Sequence, residues 1–174
     1  MGDTLITVIA IALAAVLMFV FPLMTMSDRT DDVSQLTVST ETTEFVDDVR
    51  TTGKLTLDKY SKFVESIQAT GNSYDVEMEI KTLDENPGKK TTQASPNKIG
   101  ENVYYSTYTS QILDSLDNKG SISLKEGDIF SVSVKNTNTT LSQQLKNFFY
   151  TVTGNDTYTI AAEDAGVVTA NGSN

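Results

Sequence analysis

The 174-residue sequence contains no cysteine, no histidine and no tryptophan, and these absences exclude several classes of function. Without cysteine there is no disulfide framework, no thiolate zinc site and no cysteine nucleophile. Without histidine there is no Ser-His-Asp triad, no imidazole general base and no histidine metal ligand. The 23 acidic residues outnumber the 13 basic ones, which argues against nucleic acid as a partner, because phosphate binding needs a basic face.

Charged residues are also missing from one long stretch near the N-terminus. The apolar run from Leu5 to Met26 has 22 residues. A helix of that length spans about 33 Å, which matches the roughly 30 Å hydrocarbon core of a bilayer. The alternative is a cleaved secretory signal, which has a basic start and an apolar core of only about 7–15 residues. Because Met1-Gly2-Asp3 has no basic side chain and the run is longer, we expect a retained transmembrane helix over residues 1–27.

The few basic residues beside the apolar run predict its orientation. Arg29 is the one basic residue within about twenty positions after the run, and acidic residues crowd the same stretch. No positive cluster holds the C-terminal part in the cytoplasm. We therefore expect a single-pass protein of the cell membrane with its larger part on the extracytoplasmic side.

Residues 28–53 form the next unit, a predicted helical extension or stalk that ends at Gly53. Its less polar positions have helical spacing: Val38, Phe45, Val49 and Thr52. Two arrangements remain open. The extension either continues the apolar helix, with a bend at Pro22, or forms a separate amphipathic helix after a break near Ser27.

Three more helices are predicted in the remainder, residues 54–174, each with a capping residue and an apolar face. The first is capped by Thr56 and Gly71, and its apolar face is Leu57, Tyr60, Phe63, Val64 and Ile67. The second runs along Tyr108, Ile112 and Leu116 and ends at Gly120. The third starts with a capping box, Thr140 and Gln143, and its apolar face is Leu141, Leu145, Phe148, Phe149 and Val152.

Strands are predicted between these helices by period-two alternation. The positions that carry this pattern are Tyr74 to Ile80, Ile122 and Leu124, Phe130 to Val134, Tyr158 and Ile160, and Val167-Val168. Residues 86–89 fit a type II turn that leads to an edge strand over 90–97, and residues 125–128 fit another turn. The predicted fold is α+β: a long N-terminal transmembrane helix and stalk, then a small head with one antiparallel sheet and amphipathic helices.

The charged and glycine-containing segments do not form a known catalytic or ligand-binding motif. Residues 88–91 (Gly-Lys-Lys-Thr) lack the first glycine of a phosphate loop. Residues 114–118 and the 127–128 turn do not have the spacing of a calcium loop. The carboxylate pairs at 47–48, 84–85 and 163–164 are adjacent and point different ways. We expect a protein that is not an enzyme and has no catalytic, cofactor-binding or metal-binding residue.

Asp3 lies just ahead of the apolar run, and two roles are open for it. In an assembled helical bundle it would pair with the α-ammonium group of a neighbouring subunit and fix the axial register. Alternatively it is an interfacial residue that favours the helix N-terminus through the helix dipole. The candidate residues for membrane anchoring and assembly are Asp3, Leu5, Ala12, Ala15, Phe19, Pro22 and Met26.

The layout of a short polar start, a long apolar helix with a proline about twenty residues in, a helical extension and an α+β head resembles a type IV pilin-like subunit. Two segments, VDDVRTTGKLTLDKYSKFVESIQATGNSYDVEMEI and GDIFSVSVKNTNTTLSQQLKNFFYTVTG, are similar to membrane-anchored proteins of Gram-positive bacteria that resemble Tad-type minor pilins. Such pilins carry a glutamate early in the apolar helix. That glutamate is absent from this sequence, and Asp3 is the candidate to take its place.

The resemblance implies a structural subunit that assembles through its apolar helix into a surface filament or a secretion or adhesion apparatus. Its partners would then be the membrane and either further copies of the chain or other pilin-like subunits, with no nucleic acid and no cofactor. The alternative is a monomeric, membrane-tethered binding or accessory domain of an envelope or conjugation system.

Overall fold

A computed structural model describes residues 2–84, 104–150 and 159–172, except for the side chains of 148–150. Helices and strands follow one another after a long first helix. In chain order they are α1 (Gly2–Thr52), β1 (Lys54–Thr56), α2 (Leu57–Gln68), β2 (Tyr74–Leu83), β3 (Tyr104–Tyr108), α3 (Thr109–Lys119), β4 (Ser121–Ser123), β5 (Ile129–Asn136), α4 (Leu141–Tyr150) and β6 (Ala161–Val167). The predicted α+β class, with a long apolar N-terminal helix and a small antiparallel head, is confirmed.

α1 is one helix of 51 residues from Gly2 to Thr52. At 1.5 Å per residue it measures about 76 Å. It passes through Pro22, although the proline ring removes the hydrogen bond that this nitrogen would make to the carbonyl of Met18. The helix also continues across Ser27, so the apolar run and the extension are a single element.

The two halves of α1 have different surroundings. From Ser27 onwards, one stripe of the helix is buried in the head: Ser27, Asp31, Ser34, Val38, Thr42, Phe45, Val46 and Val49. Three of the four residues predicted for this face are therefore buried, whereas Thr52, in the last turn, is exposed. The extension forms part of the head and its core.

The strands form two sheets rather than the single sheet that the sequence predicted. The larger sheet is antiparallel, with the order β3-β2-β5-β6, and β1 pairs with β4 in a separate two-stranded ribbon. Neither β1 nor β3 was predicted, because β1 has only three residues and β3 (YYSTY) does not alternate apolar with polar side chains. The predicted turn at 86–89, the edge strand over 90–97, Tyr158 and Val152 lie outside the described residues.

One face of the larger sheet packs with α1 and α2 to form the core. Met78 and Ile80 of β2 lie beside Phe130 and Val132 of β5 on this face, and all four are buried. Phe45 of α1 stacks on Phe63 of α2, with ring centroids 4.5 Å apart, and meets Phe130 edge-on at 5.7 Å. The three rings tie the extension of α1 to both the sheet and the second helix, because aromatic pairs in these geometries are favourable.

Capping residues mark most helix ends where the sequence predicted them. The side chain of Thr56 accepts a hydrogen bond from the backbone N–H of Lys59 and begins α2. Gly120 ends α3 in the left-handed conformation. Gly71 also has a positive φ, but α2 ends at Gln68 and its C-cap is Ala69, so the prediction that Gly71 caps this helix was wrong.

The end of α1 is held by close backbone packing around Gly53. This residue has a φ of +62°, and a Cβ placed on it would overlap the carbonyl oxygen of Ala170. The backbone N–H of Leu124 donates to the Gly53 carbonyl at 2.7 Å, and that of Gly172 donates to the Leu124 carbonyl at 2.9 Å. Glycine is required here both for its conformation and for the absence of a side chain.

Candidate functional site: the apolar half of α1 and its junction with the head

The first half of α1 is an apolar helix without a partner in the described part of the chain. None of its most apolar 18-residue window is buried, and by length and composition it could cross a membrane. Met18 and Phe19 are each 77% exposed, and Phe21 is 62% exposed. In water this surface would be unfavourable, because burying apolar area gains about 25 cal/mol per Å². An N-terminal signal sequence has the same composition, so the surface alone does not distinguish a signal sequence from an anchor.

The predicted anchor residues lie on this exposed half, and most of them share one side of the helix. Positions separated by seven, or alternately by three and four, return to the same face of an α-helix. The members of this stripe are Leu5, Ala12, Ala15, Phe19, Pro22 and Met26. Asp3 lies in the first turn, where its main-chain oxygen accepts a hydrogen bond from the Thr7 hydroxyl at 2.7 Å.

The same stripe continues beyond the apolar run. Val33 follows Met26 by seven residues and is 64% exposed, and Leu36 follows by a further three and is 68% exposed. At 100° per residue these positions lie on the opposite side of α1 from the buried stripe that includes Asp31 and Val38. The exposed apolar stripe therefore extends along the head-bearing half of the helix, where Val33 borders an open groove between α1 and the end of α2.

Asp28 begins the junction between α1 and the head, two residues after the apolar run. The Lys146 ammonium lies 2.7 Å from Asp28 Oδ1, and the Ser142 hydroxyl donates to the same oxygen. The hydrogen bond from Lys146, followed by that from Ser142, holds the pKa of the Asp28 carboxyl below its usual range. Both partners come from α4, so one acidic residue of α1 fixes two successive turns of that helix.

Asp31 is the second contact and is almost fully buried. Its carboxylate accepts a 2.6 Å hydrogen bond from the Thr140 hydroxyl, and the same hydroxyl accepts one from the Gln143 backbone N–H at 3.3 Å. The Gln143 side chain in turn accepts from the Thr140 backbone N–H at 2.9 Å, which completes the predicted capping box. A buried carboxylate must be hydrogen-bonded to be tolerated, so Thr140 both satisfies Asp31 and starts α4.

Gln35 makes the third contact, with the start of β6. Its side-chain amide donates to the Ala161 carbonyl at 2.7 Å and accepts from the Ala161 backbone N–H at 3.0 Å. β6 lies at one edge of the larger sheet, and among the described residues no strand pairs with its outer backbone groups. The Gln35 amide therefore makes the two hydrogen bonds to Ala161 that a neighbouring strand would make.

Sequence reasoning missed this junction because it used the acidic residues after Met26 only to predict the orientation of the apolar helix. A signal was present: Asp31 precedes Val38 by seven residues and Phe45 by fourteen, so it shares their helix face. An acidic residue on a predicted core face implies a buried partner. The partner itself, 109 residues later in the chain, could not be identified from spacing.

The outer face of the larger sheet carries an open groove of about 760 Å³. Ser131 and Ser133 form its floor on β5, and its sides include Glu77, Glu79, Tyr108 and Glu163. Within the described ranges, no group of three acidic residues is arranged to hold a metal ion. The groove combines serine and acidic side chains with apolar surface that includes Leu113.

Acidic residues singled out in the sequence have structural partners. Asp47 pairs with Arg50 at 3.0 Å, and Asp48 pairs with Lys59 at 2.9 Å. Asp128 is buried and accepts hydrogen bonds from the backbone N–H groups of Leu83 and Lys125, which closes the predicted turn. The phosphate-loop-like residues 88–91 lie outside the described ranges.

Comparisons of the chain with protein-family models, with curated proteins and with solved structures gave no match. The resemblance to pilin-like subunits therefore stays a prediction, carried by the layout of the chain and by the segments quoted above.

Proposed function

We propose that the protein is a membrane-anchored, pilin-like structural subunit that assembles through α1, with its head on the extracytoplasmic side. The exposed stripe on α1 is the observation that carries this proposal. It begins in the apolar run at Leu5 and continues to Leu36, ten residues beyond Met26. A lipid anchor accounts for the first part of the stripe, but not for the part that lies beside the head.

Val33 and Leu36 are the residues that favour assembly of several subunits over simple tethering of one subunit to the membrane. They lie outside the apolar run, on the side of α1 opposite the buried stripe, and are about two-thirds exposed. Apolar residues repeated at intervals of seven and three to four are the pattern by which α-helices pack against one another. A neighbouring α1 would cover both residues and extend the contact already begun inside the membrane, where alanines at positions 12 and 15 permit close approach.

Cross-linking from introduced cysteines tests this proposal, since the chain has no cysteine of its own. Val33→Cys and Leu36→Cys place a thiol on the stripe, and Leu57→Cys places one on an exposed leucine of α2. Intact cells that produce each variant are treated with a membrane-impermeant bis-maleimide. Assembly through α1 predicts covalent dimers for the two stripe variants and monomers for the control.

Two results would count against the proposal. Equal yields of dimer from Leu57→Cys and Leu36→Cys would show collision rather than a specific interface. The second result concerns labelling with a monofunctional, membrane-impermeant maleimide. If neither cysteine reacts in intact cells and both react after permeabilisation, the head lies in the cytoplasm.

A second candidate function is a monomeric tethered binding domain, and the groove on the outer face of the sheet favours it. Its serine floor and glutamate walls suit a polar or cationic ligand better than an apolar one. This candidate predicts a monomer in detergent and a ligand-dependent rise in melting temperature that Ser133→Val abolishes. If the protein self-associates and Ser133→Val does not change its assembly, the groove is not a ligand-binding site of this kind.

A further inference from the structure

α4 has an unusual relation to the rest of the head, because it is packed through its polar side. Ser142 and Gln143 are buried, and Lys146 reaches Asp28 of α1. Leu141 is 52% exposed and Leu145 is only half-buried. Among the described residues, the hydrophobic core contains no side chain from α4. An amphipathic helix normally does the reverse and turns its apolar face to the core.

The contacts of α4 place it beside the end of the apolar run. Thr140, just before the helix, meets Asp31, and the following residues Ser142 and Lys146 meet Asp28. Two turns of α4 meet the same residue, Asp28, so the start of this helix lies next to the end of the apolar run. Asp28 is two residues from Met26, which corresponds to about 3 Å along the helix axis.

The buried stripe of α1 also extends into the apolar run. Leu17, Val20 and Met24 are half-buried, unlike the strongly exposed residues on the other side of the run, and they continue the line of Ser27 and Asp31. Leu17 precedes Ser27 by ten residues, or about 15 Å. The less exposed side of α1 thus continues from the head-bearing half into the last turns of the apolar run.

We propose that α4 is an interfacial helix, which lies at the membrane surface with its polar side on α1 and its leucines in the boundary between headgroups and acyl chains. This inference rests on the proposed membrane anchor. A helix with a strongly polar face and a separate apolar face takes this position at a bilayer. The polar face of α4 is already satisfied by α1, so the remaining apolar face needs an apolar surface beside the span, and the bilayer supplies one.

The surroundings of α4 favour lipid over a second copy of the chain. The stripe proposed for subunit contacts lies on the opposite side of α1 from Asp31, whereas α4 packs on the Asp31 side. Asp28 of α1 is paired with Lys146 of α4, so this contact does not bring an uncompensated charge to the membrane surface. Arg29 is exposed at the same level, where a lipid phosphate would be its natural counter-ion.

A consequence of this arrangement is that the head is held to the membrane at two places. An anchor of one helix would allow the head to tilt on the residues after Met26. With α4 at the surface and bonded to Asp28 and Asp31, the same residues fix the angle between α1 and the membrane. The position at which α1 leaves the bilayer is then set by the level of α4.

Tryptophan depth measurements test the proposal, because the chain contains no tryptophan and each variant has a single probe. The full chain is reconstituted in phosphatidylcholine vesicles with bromine at a shallow or a deep acyl position. Leu141→Trp reports on α4, Phe19→Trp reports on the span, and Leu57→Trp is the control at the far end of the head. All three positions are exposed, so the fold is retained.

We expect Leu141→Trp to lose about half of its fluorescence in shallow-brominated lipid and much less in deep-brominated lipid, because interfacial helices sit only about 5–10 Å into the boundary. Phe19→Trp should be quenched most by the deep bromine, and Leu57→Trp by neither. Quenching of Phe19→Trp without quenching of Leu141→Trp would overturn the interfacial helix and leave the anchor in place. Absence of quenching at Phe19→Trp would overturn both.

Discussion

The Thr140 hydroxyl donates a 2.6 Å hydrogen bond to the carboxylate of Asp31, a residue 109 positions earlier in the chain. Both residues are buried, and the bond joins the start of α4 to the turn of α1 that follows the apolar run. Asp28, Gln35 and Lys146 extend this junction on either side of it. The arrangement of the head on α1 depends on these polar contacts near the apolar run and on aromatic packing further along the helix.

Thr140→Val should destabilise the protein by about 2–3 kcal/mol, because it removes the N-cap of α4 and leaves the buried Asp31 carboxylate without its donor. Urea unfolding in detergent micelles would measure the change. Thr139→Val is the matched control, since Thr139 is exposed and its side chain makes no bond to α1 in the described contacts. Equal stability of the two variants would contradict the role assigned to Thr140.

Lys146→Met should make stability less dependent on pH in the acid range. The pKa of Asp28 is lowered from its ordinary value of 3.8, chiefly by the hydrogen bond from Lys146. A lowered pKa contributes stability that is present above the ordinary value and is lost as the pH falls through the folded-state pKa. Without Lys146 the pKa of Asp28 is lowered less, so most of this acid-induced loss of stability should disappear.

The comparison to make is the change in urea midpoint between pH 7 and about pH 3, a range that brackets the ordinary aspartate pKa. Lys62→Met is the control, because Lys62 pairs with Asp58 and both side chains are about three-quarters exposed. The acid-induced change should shrink for Lys146→Met and stay near wild type for Lys62→Met. An unchanged acid response in Lys146→Met would contradict the coupling to Asp28.

Tyr60→Phe should reduce the loss of stability at alkaline pH. Burial, and then the negative charge of Asp75, raise the pKa of the Tyr60 phenol above its ordinary value of 10.0. A raised pKa contributes stability that is complete below the ordinary value and is lost as the pH rises through the folded-state pKa. Melting temperatures at pH 8 and above pH 10 would show a smaller drop for Tyr60→Phe than for Tyr108→Phe, which changes an exposed tyrosine.

Gly53→Ala should be far more destabilising than Gly71→Ala, although both glycines have a positive φ. Placing alanine in the left-handed conformation costs about 1–2 kcal/mol, and this penalty applies to both variants. Only at Gly53 would the added Cβ overlap backbone atoms, those of Ala170 and Gly172, whereas nothing lies within 4 Å at Gly71. We expect Gly53→Ala to cost a further 1–3 kcal/mol or so, as overpacking does. Similar melting temperatures for the two variants would contradict the close packing at the end of α1.

Local signals in the sequence predicted much of the fold. The alternation from Tyr74 to Ile80, the Thr56 cap and the Thr140–Gln143 capping box each correspond to an element that forms where its pattern begins. The continuity of α1 was one of two open alternatives. Nothing local decided it, because Pro22 weakens a helix without necessarily ending it.

Long-range pairing could not be predicted. β1 has three residues, and its only pattern is one buried leucine, Leu55, so its pairing with β4 depends on the return of the chain near Gly120. For the same reason two sheets were predicted as one. The polar side of α4 was also misjudged: the spacing of its leucines is that of a core helix, but its serine and glutamine face α1.

The central claim is that α1 both anchors the protein and assembles it. Electron microscopy of material sheared from the surface of producing cells, labelled with an antibody to the head, tests this claim most directly. The account predicts labelled filaments from wild type and from Leu57→Glu, and their loss in Leu36→Glu with the protein still present in the membrane fraction. Labelled filaments of normal length from Leu36→Glu would contradict this claim. A wild-type protein that forms no filaments and is monomeric in the membrane would also contradict it.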